Sequence, residues 1–189
     1  VAVLITMITM ILTSLAIVRE REQGTLEQLM VTPMRTPALI LGKTIPFAIL
    51  GYVEMSIALA VGILWFRIPF AGSWFLLFAL VMLYLLTTLG LGMLVSTMTN
   101  TQQQAMFFTW FFAIFMILTS GFFIPIENMP SFVRKLTYLN PLRYFMTIVR
   151  GIMMKGAGLQ ALRSEVLALI VFALAMFGLA SLRFSKRIK

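Results

Sequence analysis

The chain has 189 residues, of which 61% are hydrophobic and 11% are charged, with a mean hydropathy of +1.01 and a formal net charge of +9. This composition excludes an ordinary soluble domain and indicates an α-helical membrane protein. The sequence contains no cysteine and no histidine, which excludes disulfides and thiolate or imidazole metal sites. The basic residues lie near the ends of apolar runs rather than on one soluble face, so the positive charge does not predict nucleic-acid binding.

Five apolar runs approach the roughly 20 residues that a helix needs to cross a bilayer. Because lipid cannot satisfy backbone polar groups, we expect each run to be helical and the whole chain to form one transmembrane domain. Val1 lies inside the first apolar run and no initiator Met precedes it, so we expect the natural protein to have a further N-terminal portion. The predicted spans are residues 1–18, 45–66, 74–95, 105–124 and 166–182.

A charged segment at residues 19–37 separates the first two predicted spans and must lie in water at one membrane face. Thr25 and Gln28 have the spacing of a capping box, which predicts a short helix there. From the spacing alone, this helix either docks onto a soluble partner or rests on the membrane surface. Its apolar stripe consists of Leu26, Leu29 and Met30.

The charge distribution predicts the topology of the chain. If all five spans cross, residues 19–37 and the tail at residues 183–189 lie on the same side. Their basic residues crowd the ends of spans, where the positive-inside rule acts, so we place both segments in the cytoplasm. The uncharged polar connector at residues 96–104 is then a tight cytoplasmic turn.

The connector at residues 125–163 is predicted to be external. Prolines break it into pieces, and its pattern favours two short amphipathic helices at about residues 131–139 and 141–153. Both are too short or too charged to cross the membrane. We therefore expect helices that dip into the outer leaflet and return.

Gly42, Lys43 and Thr44 have the order that ends a phosphate-binding loop. That motif requires a glycine five residues before Gly42, and Pro37 occupies this position. No β-strand is predicted before it. We therefore expect Lys43 to mark the cytoplasmic end of the second span, and we expect no nucleotide site in this chain.

Glu54 is the only ionisable residue well inside a predicted span. A charge at that depth is costly and by default indicates function. The side chain could bind a cation or carry a proton, as in an ion-coupled transporter or channel. Alternatively, it is a protonated structural residue or one that hydrogen-bonds a neighbouring helix.

Aromatic residues dominate the predicted span at residues 105–124. If they face a dimer axis they could line an apolar substrate path, because such surfaces repack around varied ligands. If they face lipid they are packing contacts only. The residues at helical spacing are Phe108, Phe111, Phe112, Phe115 and Phe122.

Four motifs follow one another along the chain: RERE-x-GTLEQL-x-x-TP at residues 19–33, S-x-x-TNTQQQA at 96–105, SGFFIPIENMP at 120–130 and YLNPLRYF at 138–145. In this order and spacing they resemble the type-2 ATP-binding cassette (ABC) exporter permeases of bacteria, and in particular the drug-efflux-like branch. The resemblance runs through nearly the whole chain. The absence of a Walker motif agrees with a permease driven by a separate ATPase.

The resemblance implies a half-transporter with six spans, of which this chain would hold the last five. A first span and a large external domain would precede Val1. The family's re-entrant external helices correspond to residues 125–153, and the span at residues 105–124 lines the substrate path in relatives. The family's coupling helix, which fits a groove on the ATPase, corresponds to Gly24, Thr25, Leu26, Glu27, Gln28, Leu29 and Met30.

The sequence therefore predicts a non-enzymatic permease subunit of the bacterial inner membrane that exports drugs or other amphiphiles. Two copies, or this chain and a paralogue, would form the pathway. Two ABC ATPase subunits would bind ATP and Mg²⁺. Export of lipids or glycans, ion coupling through Glu54, and a purely structural membrane subunit are the alternatives.

Overall fold

A computed structural model describes residues 1–24 and 36–187, with side chains over residues 1–24 and 42–183. In this part of the chain all regular structure is helical, as the composition predicts. Two 3-10 turns, Ile126–Asn128 and Thr137–Leu139, lie in the connector that follows Thr119. The α-helices are α1 (Ala2–Glu22), α2 (Thr36–Leu64), α3 (Trp74–Met98), α4 (Gln102–Thr119), α5 (Ser131–Leu136), α6 (Pro141–Lys155) and α7 (Arg163–Arg187).

Four helical segments are long and apolar enough to cross a membrane, and they match four of the five predicted spans. The fifth prediction, residues 105–124, corresponds to α4, which is less apolar than these four segments. Its 18 residues begin with three glutamines that lower its hydropathy. The four segments are Ala2–Glu22, Gly42–Leu64, Trp74–Met98 and Arg163–Arg183.

The helix α4 also ends at Thr119, five residues before the predicted boundary at residue 124. Gly121 follows with a φ of 79°, a left-handed conformation that stops an α-helix, and Pro125 comes soon after. At 1.5 Å per residue α4 is about 27 Å long, close to the roughly 30 Å of the hydrocarbon layer. The apolar residues after Thr119 therefore lie outside the helix.

Three of the other spans extend beyond the predicted boundaries, whereas the apolar segment of α2, Gly42–Leu64, begins before the predicted span at residues 45–66 and ends two residues short of it. Helix α1 ends at Glu22 rather than at residue 18, and α3 ends at Met98 rather than at residue 95. Helix α7 covers Arg163–Arg187 rather than residues 166–182. Hydropathy marks the part of a helix that lies in lipid, whereas the backbone hydrogen bonds continue into the polar layer beyond it.

Helix α3 is the centre of the bundle and packs between α1 and α7. Apolar burial does not drive association in lipid, so close contact and hydroxyl hydrogen bonds hold such helices together. Gly92 provides the close contact, because a Cβ atom there would lie 2.9 Å from Thr13 Cβ. Thr9 donates a 2.9 Å hydrogen bond to Thr88, and the hydroxyl groups of Thr6 and Tyr84 are also hydrogen-bonded.

The two short helices predicted after Pro125 are present as α5 and α6. Pro141 occupies the first turn of α6, where its missing N–H costs nothing, and the Asn140 side chain caps the helix by accepting from Leu142 N at 2.9 Å. Phe145 of α6 stacks on Tyr84 of α3 with 3.9 Å between ring centroids. This buried pair fixes α6 against the centre of the bundle.

Candidate coupling and transport site

The last turn of α1 joins three other helices at one end of the bundle. Glu20 forms an ion pair with Lys43 near the start of the apolar part of α2. Arg21 Nη1 donates to the carbonyl oxygens of Ser96 at 2.9 Å and Thr99 at 2.7 Å, at the C-terminus of α3. We call residues 20–22, Lys43 and residues 96–102 the charged end of the bundle.

Glu22 completes these connections at the N-terminus of α4. Its carboxylate accepts from the backbone N–H of Gln102 at 2.9 Å and from the Gln102 side-chain amide. The signs of Arg21 and Glu22 complement the helix dipoles, since carbonyl ends attract cations and N–H ends attract anions. Arg21 and Glu22 therefore hold the α3–α4 turn to the end of α1.

The predicted coupling helix begins directly after this charged end. Gly24, the only one of its seven residues that the structure describes, has a φ of 69° and donates its N–H to the Arg21 carbonyl oxygen at 3.1 Å. The remaining six, Thr25, Leu26, Glu27, Gln28, Leu29 and Met30, lie outside the described residues. Glu22 thus stands two residues before the predicted contact with the ATPase.

Gly42, Lys43 and Thr44 are helical residues of α2, and Lys43 is engaged with Glu20. A phosphate-binding loop instead needs an open backbone after a β-strand. The structure places Lys43 in a contact between α1 and α2, at the charged end of the bundle.

Helix α4 has one face of small residues and one of aromatic residues. Ala105, Thr109 and Ala113 are buried at intervals of four, and α4 packs chiefly against α1. The opposite face exposes large side chains, including 60% of Phe111. An extended aromatic surface on a membrane helix must meet lipid, a second subunit or a substrate.

The five aromatic residues of the predicted stripe do not share one environment. Phe112 differs from the other four residues, because its side chain is half-buried and packs against the core of the bundle. Its ring also contacts the exposed ring of Phe111 edge-on. Four residues are exposed: Phe108, Phe111, Phe115 and Phe122.

Glu54 lies near the middle of the apolar segment Gly42–Leu64, in the wall of a groove between α1 and α2. Both carboxylate oxygens are inaccessible to solvent, and neither has a hydrogen-bond partner among the described residues. Within this part of the chain the structure shows no hydrogen bond from Glu54 to a neighbouring helix. An unsatisfied carboxyl group at this depth needs either a proton or a cationic partner.

The sequence interpretation missed two kinds of residue. The charge pattern predicts that Arg21 and Glu22 lie in a solvated segment, whereas α1 continues through both residues and brings them to the turn between α3 and α4. Asn140 was missed as a tie between helices, since its amide donates to the Met116 carbonyl oxygen at 2.6 Å and to Thr119 Oγ1 at 2.9 Å. An asparagine directly before a proline that begins a helix is a capping signal, and this signal identifies Asn140 as a structural residue.

The sequence of the chain is similar to those of known membrane transport proteins. Residues 1–154 match the family described as ABC-2 type transporter. The chain is 38% identical over 188 residues to the probable multidrug ABC transporter permease YbhR of Escherichia coli strain K12, which covers 100% of this chain and 51% of YbhR. It is 36% identical over 189 residues to the probable multidrug ABC transporter permease YbhS of the same strain, covering 100% of this chain and 50% of YbhS.

The inner membrane transport permease YhhJ of Escherichia coli strain K12 is 30% identical over 187 residues, covering 97% of this chain and 50% of YhhJ. The chain thus spans about half the length of the curated relatives it matches. The family match covers most of the chain, and the described part contains four helical segments of membrane-spanning length. The chain is therefore a multi-pass membrane protein that belongs to the ABC-2 type transporter family.

Proposed function

We propose that this chain is the membrane-spanning part of a permease subunit in an ABC export system. The system moves drugs or other amphiphilic substrates out across the bacterial inner membrane. The similarity to YbhR and YbhS over the full chain carries the proposal. The permease itself changes no bond; ATP and Mg²⁺ bind to separate ATPase subunits.

In this proposal α4 is a fifth span, although it is shorter and less hydrophobic than the others. Its small-residue face packs on α1, and its aromatic face lines the substrate path at the contact with a second copy or a paralogue. The exposed Phe108, Phe111 and Phe115 support this role, with Phe112 supporting the helix from the core side. The amphipathic helix α6 and the short α5 form the external re-entrant layer.

In this proposal the contacts of the charged end transmit a displacement from the coupling segment to the membrane helices. A push on residues 24–30 by the ATPase reaches α1 directly, since Gly24 follows its last turn. Arg21 and Glu22 carry the displacement to the ends of α3 and α4 that they bind. A nucleotide-driven movement at the coupling segment would therefore shift the aromatic helix between two positions.

Capture of the ATPase subunit tests the proposal. The affinity-tagged protein should co-purify an ABC ATPase when the two are co-expressed, and the double substitution Leu26→Asp and Leu29→Asp should abolish the capture. Charges on the apolar stripe remove its contact with the ATPase groove but leave the spans unchanged. Ser131→Asp, in the predicted external layer, is the control and should capture as well as the unmodified protein. Equal capture by the double variant would contradict the proposal.

Lipids are the alternative substrate for an ABC exporter of this kind, because an exposed aromatic helix can contact any amphiphile. The relatives YbhR and YbhS are named as multidrug permeases, which favours drugs. Transport by everted vesicles separates the two: a fluorescent drug should accumulate in an ATP-dependent way, whereas a lipid exporter would move labelled phospholipid and leave the drug outside.

A further inference from the structure

The groove that contains Glu54 has a volume of about 510 Å³, which is in the range of sites for drug-sized ligands. Among the residues that the structure describes, it opens on the outside of the bundle between α1 and α2. Its walls carry exposed side chains, Leu4 and Ile8 from α1 and Ile57 from α2. The complete lining is Val1, Leu4, Ile8, Glu54, Ile57, Ala58, Val61, Gly62 and Phe66.

We propose that this groove binds lipophilic organic cations, with the Glu54 carboxylate as their counter-ion. All of the other lining residues are apolar, so the ligand must be largely apolar as well. The carboxylate has no hydrogen-bond partner among the described residues, so a ligand that brings a positive charge removes the cost of leaving it unpaired.

The lining also indicates which kind of cation fits. Inorganic cations such as Na⁺ or Mg²⁺ require several oxygen ligands, and Glu54 is the only side chain of the lining with oxygen atoms. Both of its oxygens are covered by neighbouring atoms, which disfavours a ligand that depends on direct hydrogen bonds. A cation with its charge spread over aromatic rings needs neither several oxygen ligands nor direct hydrogen bonds. The groove lining also includes the aromatic ring of Phe66, which can contact such a cation.

The proposal names a substrate class for the exporter proposed above and depends on that function for its role in the cell. Its test is independent of ATP. Binding of radiolabelled tetraphenylphosphonium is measured at equilibrium with the protein in nanodiscs of phosphatidylcholine, a lipid without net charge, and without nucleotide. If export fails to require an ATPase while this binding persists, only the proposed function is wrong.

We expect Glu54→Gln to weaken tetraphenylphosphonium binding at least tenfold, and Glu54→Asp to weaken it less. Neutral triphenylphosphine should bind the unmodified protein and Glu54→Gln equally, which shows that the groove is intact. The matched control is Glu165→Gln, which removes a half-buried carboxyl group at the start of α7, outside the groove lining, and should leave the affinity unchanged. Equal binding of the cation by Glu54→Gln and the unmodified protein would overturn the proposal.

Because the sequence lacks cysteine, single-cysteine variants probe the groove directly. Tetraphenylphosphonium should slow maleimide labelling of Ile57→Cys and Val61→Cys but not of Leu182→Cys, an exposed position on α7. If Ile57→Cys and Val61→Cys instead resist labelling without the cation, a second subunit or a span that precedes Val1 covers the groove, and the proposal is wrong.

Discussion

Arg21 Nη1 lies 2.7 Å from the carbonyl oxygen of Thr99, so the last turn of α1 caps the end of α3. The same nitrogen also donates to the carbonyl oxygen of Ser96. Hydrogen bonds from a charged donor contribute about 1.5–3 kcal/mol each to stability when partly buried. The position of the α3–α4 turn therefore depends on a side chain that stands only a few residues before the predicted coupling helix.

We expect Arg21→Ala to lower the thermal unfolding temperature in detergent and to reduce ATP-driven export more strongly than it reduces ATPase capture. The reason is that the variant retains the coupling segment but loses the link from α1 to the α3–α4 turn. Arg19→Ala is the matched control, because the Arg19 side chain is exposed. Export by Arg21→Ala at the level of Arg19→Ala would show that the capping contact transmits nothing.

Asn140 joins the end of α4 to the start of α6, and two substitutions separate its roles. Asn140→Ala loses both the cap and the bonds to Met116 and Thr119, at a cost of about 1–3 kcal/mol for the groups left unsatisfied. Asn140→Asp retains the capping oxygen but brings a carboxylate against the Met116 carbonyl oxygen. We expect it to be at least as destabilising as Asn140→Ala in thermal unfolding. If Asn140→Asp unfolds at the same temperature as the unmodified protein, only the cap contributes to stability.

Gly92 sets the distance between α1 and α3. A Cβ atom there would lie 2.9 Å from Thr13 Cβ and 3.0 Å from the Met10 carbonyl oxygen, so Gly92→Ala forces the helices apart. Overpacking of this kind costs about 1–3 kcal/mol. Gly178→Ala in α7 is the control, because nothing lies within 4 Å of its added Cβ. We expect unfolding at lower temperature for Gly92→Ala only, and equal shifts for the two variants would contradict the close crossing.

Two phenylalanines distinguish packing from the substrate path. Phe145 is fully buried against Tyr84, and Phe145→Ala should destabilise the protein by about 3–5 kcal/mol. Phe111 is 60% exposed, so Phe111→Ala should leave the unfolding temperature nearly unchanged and alter which drugs are exported. Comparison of unfolding curves with efflux of several drugs checks both. An unchanged drug profile in Phe111→Ala would remove this ring from the path.

Hydropathy was sufficient to place four spans and the two short helices after Pro125, because apolar runs and prolines are local signals. It was not sufficient for α4, which begins with three glutamines and ends early at Thr119, two residues before Gly121 adopts a left-handed conformation. The contacts of Arg21 and Glu22 could not be predicted either. They connect residues about 75–80 positions apart in sequence, and only the packing of α1 on α3 and α4 brings them together.

Glu54 illustrates the same limit at the candidate site. The sequence showed that an acid lies inside a span, but not whether a neighbouring helix satisfies it. The answer depends on which face of α1 meets α2, and the structure places the apolar side chains of Leu4 and Ile8 there. The aromatic residues of α4 are similar, since helical spacing alone does not separate the half-buried Phe112 from the exposed Phe111.

ATP-driven transport in proteoliposomes tests the central claim most directly. The protein and its ATPase subunit are reconstituted together, and uptake of a fluorescent drug is followed with ATP, without ATP, and with an imposed proton or sodium gradient. The account predicts uptake only with ATP and the ATPase, and its loss in the double variant Leu26→Asp and Leu29→Asp. Uptake driven by an ion gradient alone, or full ATP-driven uptake by the double variant, would contradict it.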